Sequence, residues 1–99
     1  MNYSTNLINR SQQITKQVIE AEKMNKPIDH LVKEQIKIME LHHDEFVKEA
    51  NKLGIDNLAR AREEIKIYSM IKAWANKINL PTDKYDDAMN AIRAKFFQP

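Results

Sequence analysis

The sequence predicts an all-α protein, a small four-helix bundle, and three observations carry that prediction. First, 42 % of the 99 residues are hydrophobic and 30 % charged, with Gly 1 and Pro 3. That is too apolar for disorder and too poor in turn residues for many short strands. Second, apolar residues recur at spacings of three and four in four separate stretches. Third, those stretches are separated by helix-stop signals: Asn25-Lys26-Pro27, Gly54 and Leu80-Pro81. A chain of this length has surface for one core only, so residues 1–99 read as a single domain.

The first helix is expected over about residues 4–24. Leu7, Ile14, Val18 and Ala21 mark one face, with Ile8 and Ile19 beside it. Ser4 or Thr5 is expected to cap it, and the residue before Pro27 is pushed out of the α region, which ends it. The second helix is expected over about 27–53, with Pro27 in its first turn and Asp29 complementing the positive end of its dipole. Ile28, Val32, Met39, Phe46, Ala50 and Leu53 form its main stripe. Leu31, Ile38 and Leu41 trail to one side, and Ile36 and Val47 to the other. Its apolar residues span about 180° of the helical wheel, against a stripe of about 100° for a helix with one groove to fill.

Gly54, the only glycine, stands where a helix end favours positive φ, and Asp56 is expected to cap a third helix over about 57–79. This helix holds the only Trp and the densest apolar run, including Ile67, Tyr68, Ile71, Trp74 and Ile78. It is therefore expected at the centre, with every other helix laid against it. Thr82 or Asp83 is expected to cap the last helix, about 83–97. There Asp83, Asp86 and Asp87 lie at the positive end, Arg93 and Lys95 at the negative end, and Tyr85, Met89, Ile92 and Phe96 face inward.

Composition narrows the function by exclusion. There is no cysteine, which rules out disulfides and thiolate metal sites and suits a reducing compartment. The first ten residues lack a basic stretch followed by an apolar one, and no apolar run approaches the roughly 18 residues of a membrane span. A soluble, cytoplasmic protein without membrane contact is expected. The net charge of +2 announces neither a nucleic-acid binder nor a membrane-surface protein. No arrangement suggests a catalytic triad, which would need Ser4, Ser11 or Ser69 beside His30, His42 or His43. One glycine cannot build a phosphate-cradling loop. No enzyme and no cofactor are expected.

Three local constellations remain. Glu40 and His43 form a Glu-x-x-His pair, the unit that di-iron bundles use twice, and Glu20, Glu63 or Glu64 could complete it in a homodimer. It occurs once, and Glu40 lies about 110° from the centre of the apolar arc, so no metal is expected. Ala50, Gly54 and Ile55 match part of a helix-turn-helix, but Arg60 and Glu63 stand where that motif needs apolar residues. An ordinary helical hairpin explains the same three. Arg62, Lys66, Lys72 and Lys77 fall within about 140° of the third helix's wheel. They could meet phosphates or an acidic protein face.

The expected function is that of a non-enzymatic helical interaction protein of inhibitor, immunity or adaptor type, binding a larger macromolecule through a helix face. Leu31, Ile38 and Leu41, in line at spacings of seven and three, are the expected partner or homodimer interface, the alternative being a monomer that hides Leu31 and Ile38 under the first or the last helix. The alternatives are a weak nucleic-acid contact through the basic strip and a dimeric metal-binding bundle.

Overall fold

Four helices occupy residues 3–97, the part of the chain that the computed structural model describes: α1 Tyr3–Lys23, α2 Asp29–Lys52, α3 Leu58–Lys77 and α4 Asp83–Phe96. No strand is present among the described residues. The protein is an all-α four-helix bundle, as composition and periodicity predict. Its starts differ in detail. Ser4 and Thr5 lie inside α1 rather than capping it, and Pro27 precedes α2, whose N-cap is Ile28. Asn57, not Asp56, caps α3, its side-chain oxygen accepting from the Arg60 amide at 3.0 Å. Asp56 is engaged elsewhere, by Lys95 of α4.

The first three helices end by one device. After each, a residue enters the left-handed region: Asn25 with φ 53, Gly54 with φ 69 and Asn79 with φ 57. The next amide then reaches back to a carbonyl of the last turn: Lys26 to Ala21 at 2.8 Å, Ile55 to Ala50 at 2.8 Å and Leu80 to Ala75 at 3.0 Å. These are Schellman caps, which satisfy carbonyls that the helix leaves without a partner. Pro27 and Pro81 follow the first and third, where proline cannot continue a helix. The asparagines reverse the chain and the prolines secure the exit.

The helices pack in chain order, α1 on α2, α2 on α3 and α3 on α4. Among the described residues, α1 and α4 share no close backbone approach, so the bundle is open. The expected arrangement, with α3 at the centre of all others, gives way to a central α2–α3 hairpin with one helix laid on each side. The Cα extents are 48 × 34 × 15 Å and the radius of gyration is 15.1 Å, against about 13 Å for a compact domain of this length.

The buried cluster joins Ile14 and Val18 of α1, Leu31, Val32, Ile36 and Ile38 of α2, Ile67, Ile71 and Ala75 of α3, and Tyr85 of α4. Trp74 only flanks it, half-buried, with the Lys77 ammonium 6.0 Å from its ring centre. The sequence reading set Trp74 beside Ile71 in the dense apolar run of the central helix. Ile71 is the fully buried one, because the covered side of α3 runs through Ala61, Ile67, Ile71 and Ala75.

Candidate functional site

Where α1 and α3 flank α2, the surface sinks into a groove of about 190 Å³. Its lining comes from Leu7, Ile8, Ser11 and Gln12 of α1, Ile38, Met39 and His42 of α2, and Met70 of α3. Ile38 is buried, with Leu7 and Met39 half-buried beside it, while Ile8 and Met70 stand on the rim at 49 % and 46 % exposure. Two apolar side chains therefore project on either side of an apolar hollow. None of the eight residues is Asp, Glu, Lys or Arg, in a chain that is 30 % charged. Depletion of charge around an apolar centre is the compositional mark of an interface core.

The groove follows from how α1 is fastened. The Arg10 guanidinium grips the Glu34 carboxylate with two bonds of 2.6 and 2.7 Å. Next to Glu34, the Gln35 amide donates to the Thr15 hydroxyl at 3.2 Å and to the Ser11 carbonyl at 3.4 Å. The guanidinium holds Glu34 below the usual carboxylate range, and Glu34 pushes Arg10 up. These bonds set α1 along one flank of α2.

That flank is the one holding Leu31 and Ile38, which lie three or four residues from Glu34 and Gln35 and so share their face. Leu31 and Ile38 are accordingly 9 % and 8 % exposed and part of the buried cluster. Of the three residues expected in line at an interface, Leu41 alone is exposed, at 36 %, and it lies outside the groove. Ile38 reaches the groove as part of its floor.

Comparison with family models, with curated proteins and with solved structures finds no match for this chain.

The basic strip is divided by the helices beside it. Lys72 turns toward α4 and meets Asp86 at 2.7 Å, holding that carboxyl below its ordinary range. Lys77 reaches Glu22 at the end of α1, at 3.4 Å. Arg62 and Lys66 remain exposed. Arg62 shares a shallow hollow with Ile65, Arg93 and Phe97, so the open basic surface lies toward the α3–α4 edge.

Glu40 and His43 each find a protein partner. Glu40 accepts from Lys84 of α4 at 3.0 Å. His43 Nε2 lies 3.0 Å from Glu64, which also accepts from Arg60 at 3.3 Å, and the Tyr68 ring sits 4.4 Å from the imidazole. Glu63 is half-buried and Glu20 exposed. Among the described residues no group of three or more His, Asp and Glu is placed to share a metal ion. A cleft of about 200 Å³ opens here, lined by Glu40, His43, Asp44, Tyr68, Lys84 and Tyr85 among others. Burial pushes both tyrosine hydroxyls up, and the Glu40 hydrogen bond pushes the Lys84 ammonium up. The cleft thus presents phenols and a protonated amine, which donate hydrogen bonds but are not activated nucleophiles.

The sequence reading set Glu64 beside Glu40 and His43 only as a possible metal ligand, and missed the hydrogen-bonded Arg60–Glu64–His43 network. It also missed the groove, whose rim joins α1 to α3. One signal was present: from Tyr3 to Ile14 the chain carries a single charge, Arg10.

Proposed function

We propose that this chain is a non-enzymatic helical interaction protein of inhibitor, immunity or adaptor type, and that it meets another polypeptide in the α1–α2–α3 groove. The observation that carries the reading is a mostly apolar lining without Asp, Glu, Lys or Arg, with Ile8 and Met70 raised on its rim. Methionines at such a site, here Met39 and Met70, let a surface repack around its partner. A second apolar hollow, near Phe46, Leu53 and Ile55, is edged by Glu49, Arg60 and Glu63 and is the weaker candidate. The absence of cysteine suits action in the cytoplasm.

The test is a photo-crosslinking side chain placed at position 8 in cells, compared with one at position 66 on the basic edge. The reading expects polypeptide adducts from position 8 that disappear on Met70→Glu. Adducts from position 66 alone would overturn it.

One observation supports a second reading. Arg62 and Arg93 border an exposed Phe97, with Lys66 one turn from Arg62, and cations around an aromatic can hold single-stranded nucleic acid. With Lys72 and Lys77 already paired, three phosphate contacts remain. The expected slope of log K against log salt is about −2.1 on a single strand.

A further inference from the structure

We infer that the cleft between α2, α3 and α4 is a binding site for a primary alkylammonium group, and that the Lys84 side chain is its resident competitor. The cleft shares no residue with the groove, so this stands independently of the groove reading. Three observations carry it. The first is that the cleft already receives an ammonium of the protein's own. Lys84 Nζ lies 3.0 Å from Glu40 Oε2 and 5.0 Å from the centre of the Tyr85 ring. A cation within about 6 Å of an aromatic centre is attracted by the face of the ring, so a carboxylate and a π face converge on one positive charge. The receiving groups are the enclosed ones: Tyr85 is buried and the Glu40 side chain is 39 % exposed, against 68 % for Lys84. A long side chain standing largely in water gains little from such a pair, and an external ammonium displaces it at small cost.

The second observation is the field. Tyr68 and His43 line the cleft beside Tyr85, with ring centres 4.4 Å apart for His43 and Tyr68 and 6.3 Å for Tyr68 and Tyr85. Burial raises the Tyr68 hydroxyl, and the negative charges of Glu64, Asp44 and Glu40 raise it further. Carboxylates around aromatic rings favour a cation and oppose an anion. Glu64 is already engaged by His43 and Arg60. Asp44 is not: its ion-pair contact among the described residues is to His43 Nδ1 at 3.9 Å, beyond hydrogen-bond distance. An entering ammonium therefore meets Glu40, Asp44 and the two tyrosine rings. The third observation is size. The cleft holds about 200 Å³, below the roughly 300–1,000 Å³ of a site for a drug-sized ligand, which suits a small head group, either a free amine or the end of a lysine side chain.

Titration of the full chain with propylammonium chloride, followed by the ring-proton NMR signals of Tyr68 and Tyr85, tests this against sodium chloride at equal ionic strength. Saturable shifts at both rings are expected from propylammonium and not from sodium. Lys84→Ala removes the competitor and should tighten binding by at least about threefold, a direction that loss of fold cannot imitate. Glu40→Gln should weaken binding by at least about threefold, with helicity unchanged. Glu20→Gln, the same change at an exposed position of α1 outside the cleft, should behave as the parent. A parallel titration with a lysine residue blocked at both backbone ends distinguishes the sources: saturation at equal or lower concentration supports the site as one for a polypeptide's lysine, and saturation by propylammonium alone supports it as one for a free amine. Shifts that do not saturate with either probe, that sodium chloride reproduces, or that are no tighter in Lys84→Ala than in the parent would overturn the site.

Discussion

At the scale of single residues, the α1–α2 seam turns on Gln35. It is fully buried; its amide donates to Ser11 and Thr15, while its side-chain oxygen has no partner among the described residues. A buried acceptor left unpaired costs about 1–3 kcal/mol, so Gln35 contributes register more than stability. Gln35→Met, similar in volume and free of that oxygen, should leave the melting temperature equal or higher. A clear drop would show that the two donated bonds outweigh the orphan oxygen. The neighbouring Arg10–Glu34 pair gives a pH signature of definite sign. Because the guanidinium lowers the folded pKa of Glu34, its contribution is present above the unfolded carboxylate pKa and disappears as pH falls through the folded value. Parent and Glu34→Gln should therefore differ in melting temperature at neutral pH and converge well below pH of about 4. A difference that persists in acid would assign the effect to packing. Neither residue's role was legible in the sequence, since each depends on a partner 20 or 24 positions away. Trp74 failed for a related reason: size and density mark a residue as apolar, but the face that α2 covers is set by smaller neighbours, Ile71 and Ala75.

At the scale of elements the sequence was far more informative, because helix periodicity and helix stops are local. Four helices were expected and four are present, and Gly54 was read correctly as a left-handed cap. The stops after α1 and α3 were credited to proline, whereas the turn itself is made by Asn25 and Asn79. Asparagine tolerates the left-handed region but is common elsewhere, so it signals such a cap less plainly than glycine. Asn79→Ala should destabilise the protein by roughly 1 kcal/mol, since alanine keeps the Cβ that crowds the following carbonyl in that region and loses the short polar side chain by which asparagine can hydrogen-bond locally. Asn79→Gly should be neutral or better. Urea denaturation of the two variants checks this, and equal midpoints for Ala and Gly would show that the cap contributes little.

At the scale of the molecule, what matters is that α1 and α4 lie at opposite edges of the α2–α3 hairpin. The surplus apolar surface of α2 was legible as an arc too wide for one neighbour, but α1 fills the flank through Leu31 and Ile38. The opening lies instead above Met39 and beside His42, between the two helices that flank α2. Position in space, not spacing in sequence, decides which apolar residues remain uncovered. The most direct test of the groove as the working face is crosslinking in cells from a photoreactive side chain at position 8, beside one at position 66. Polypeptide adducts should form from position 8 and be lost on Met70→Glu. Adducts from position 66 alone would contradict the account, as would position 8 adducts that Met70→Glu leaves unchanged.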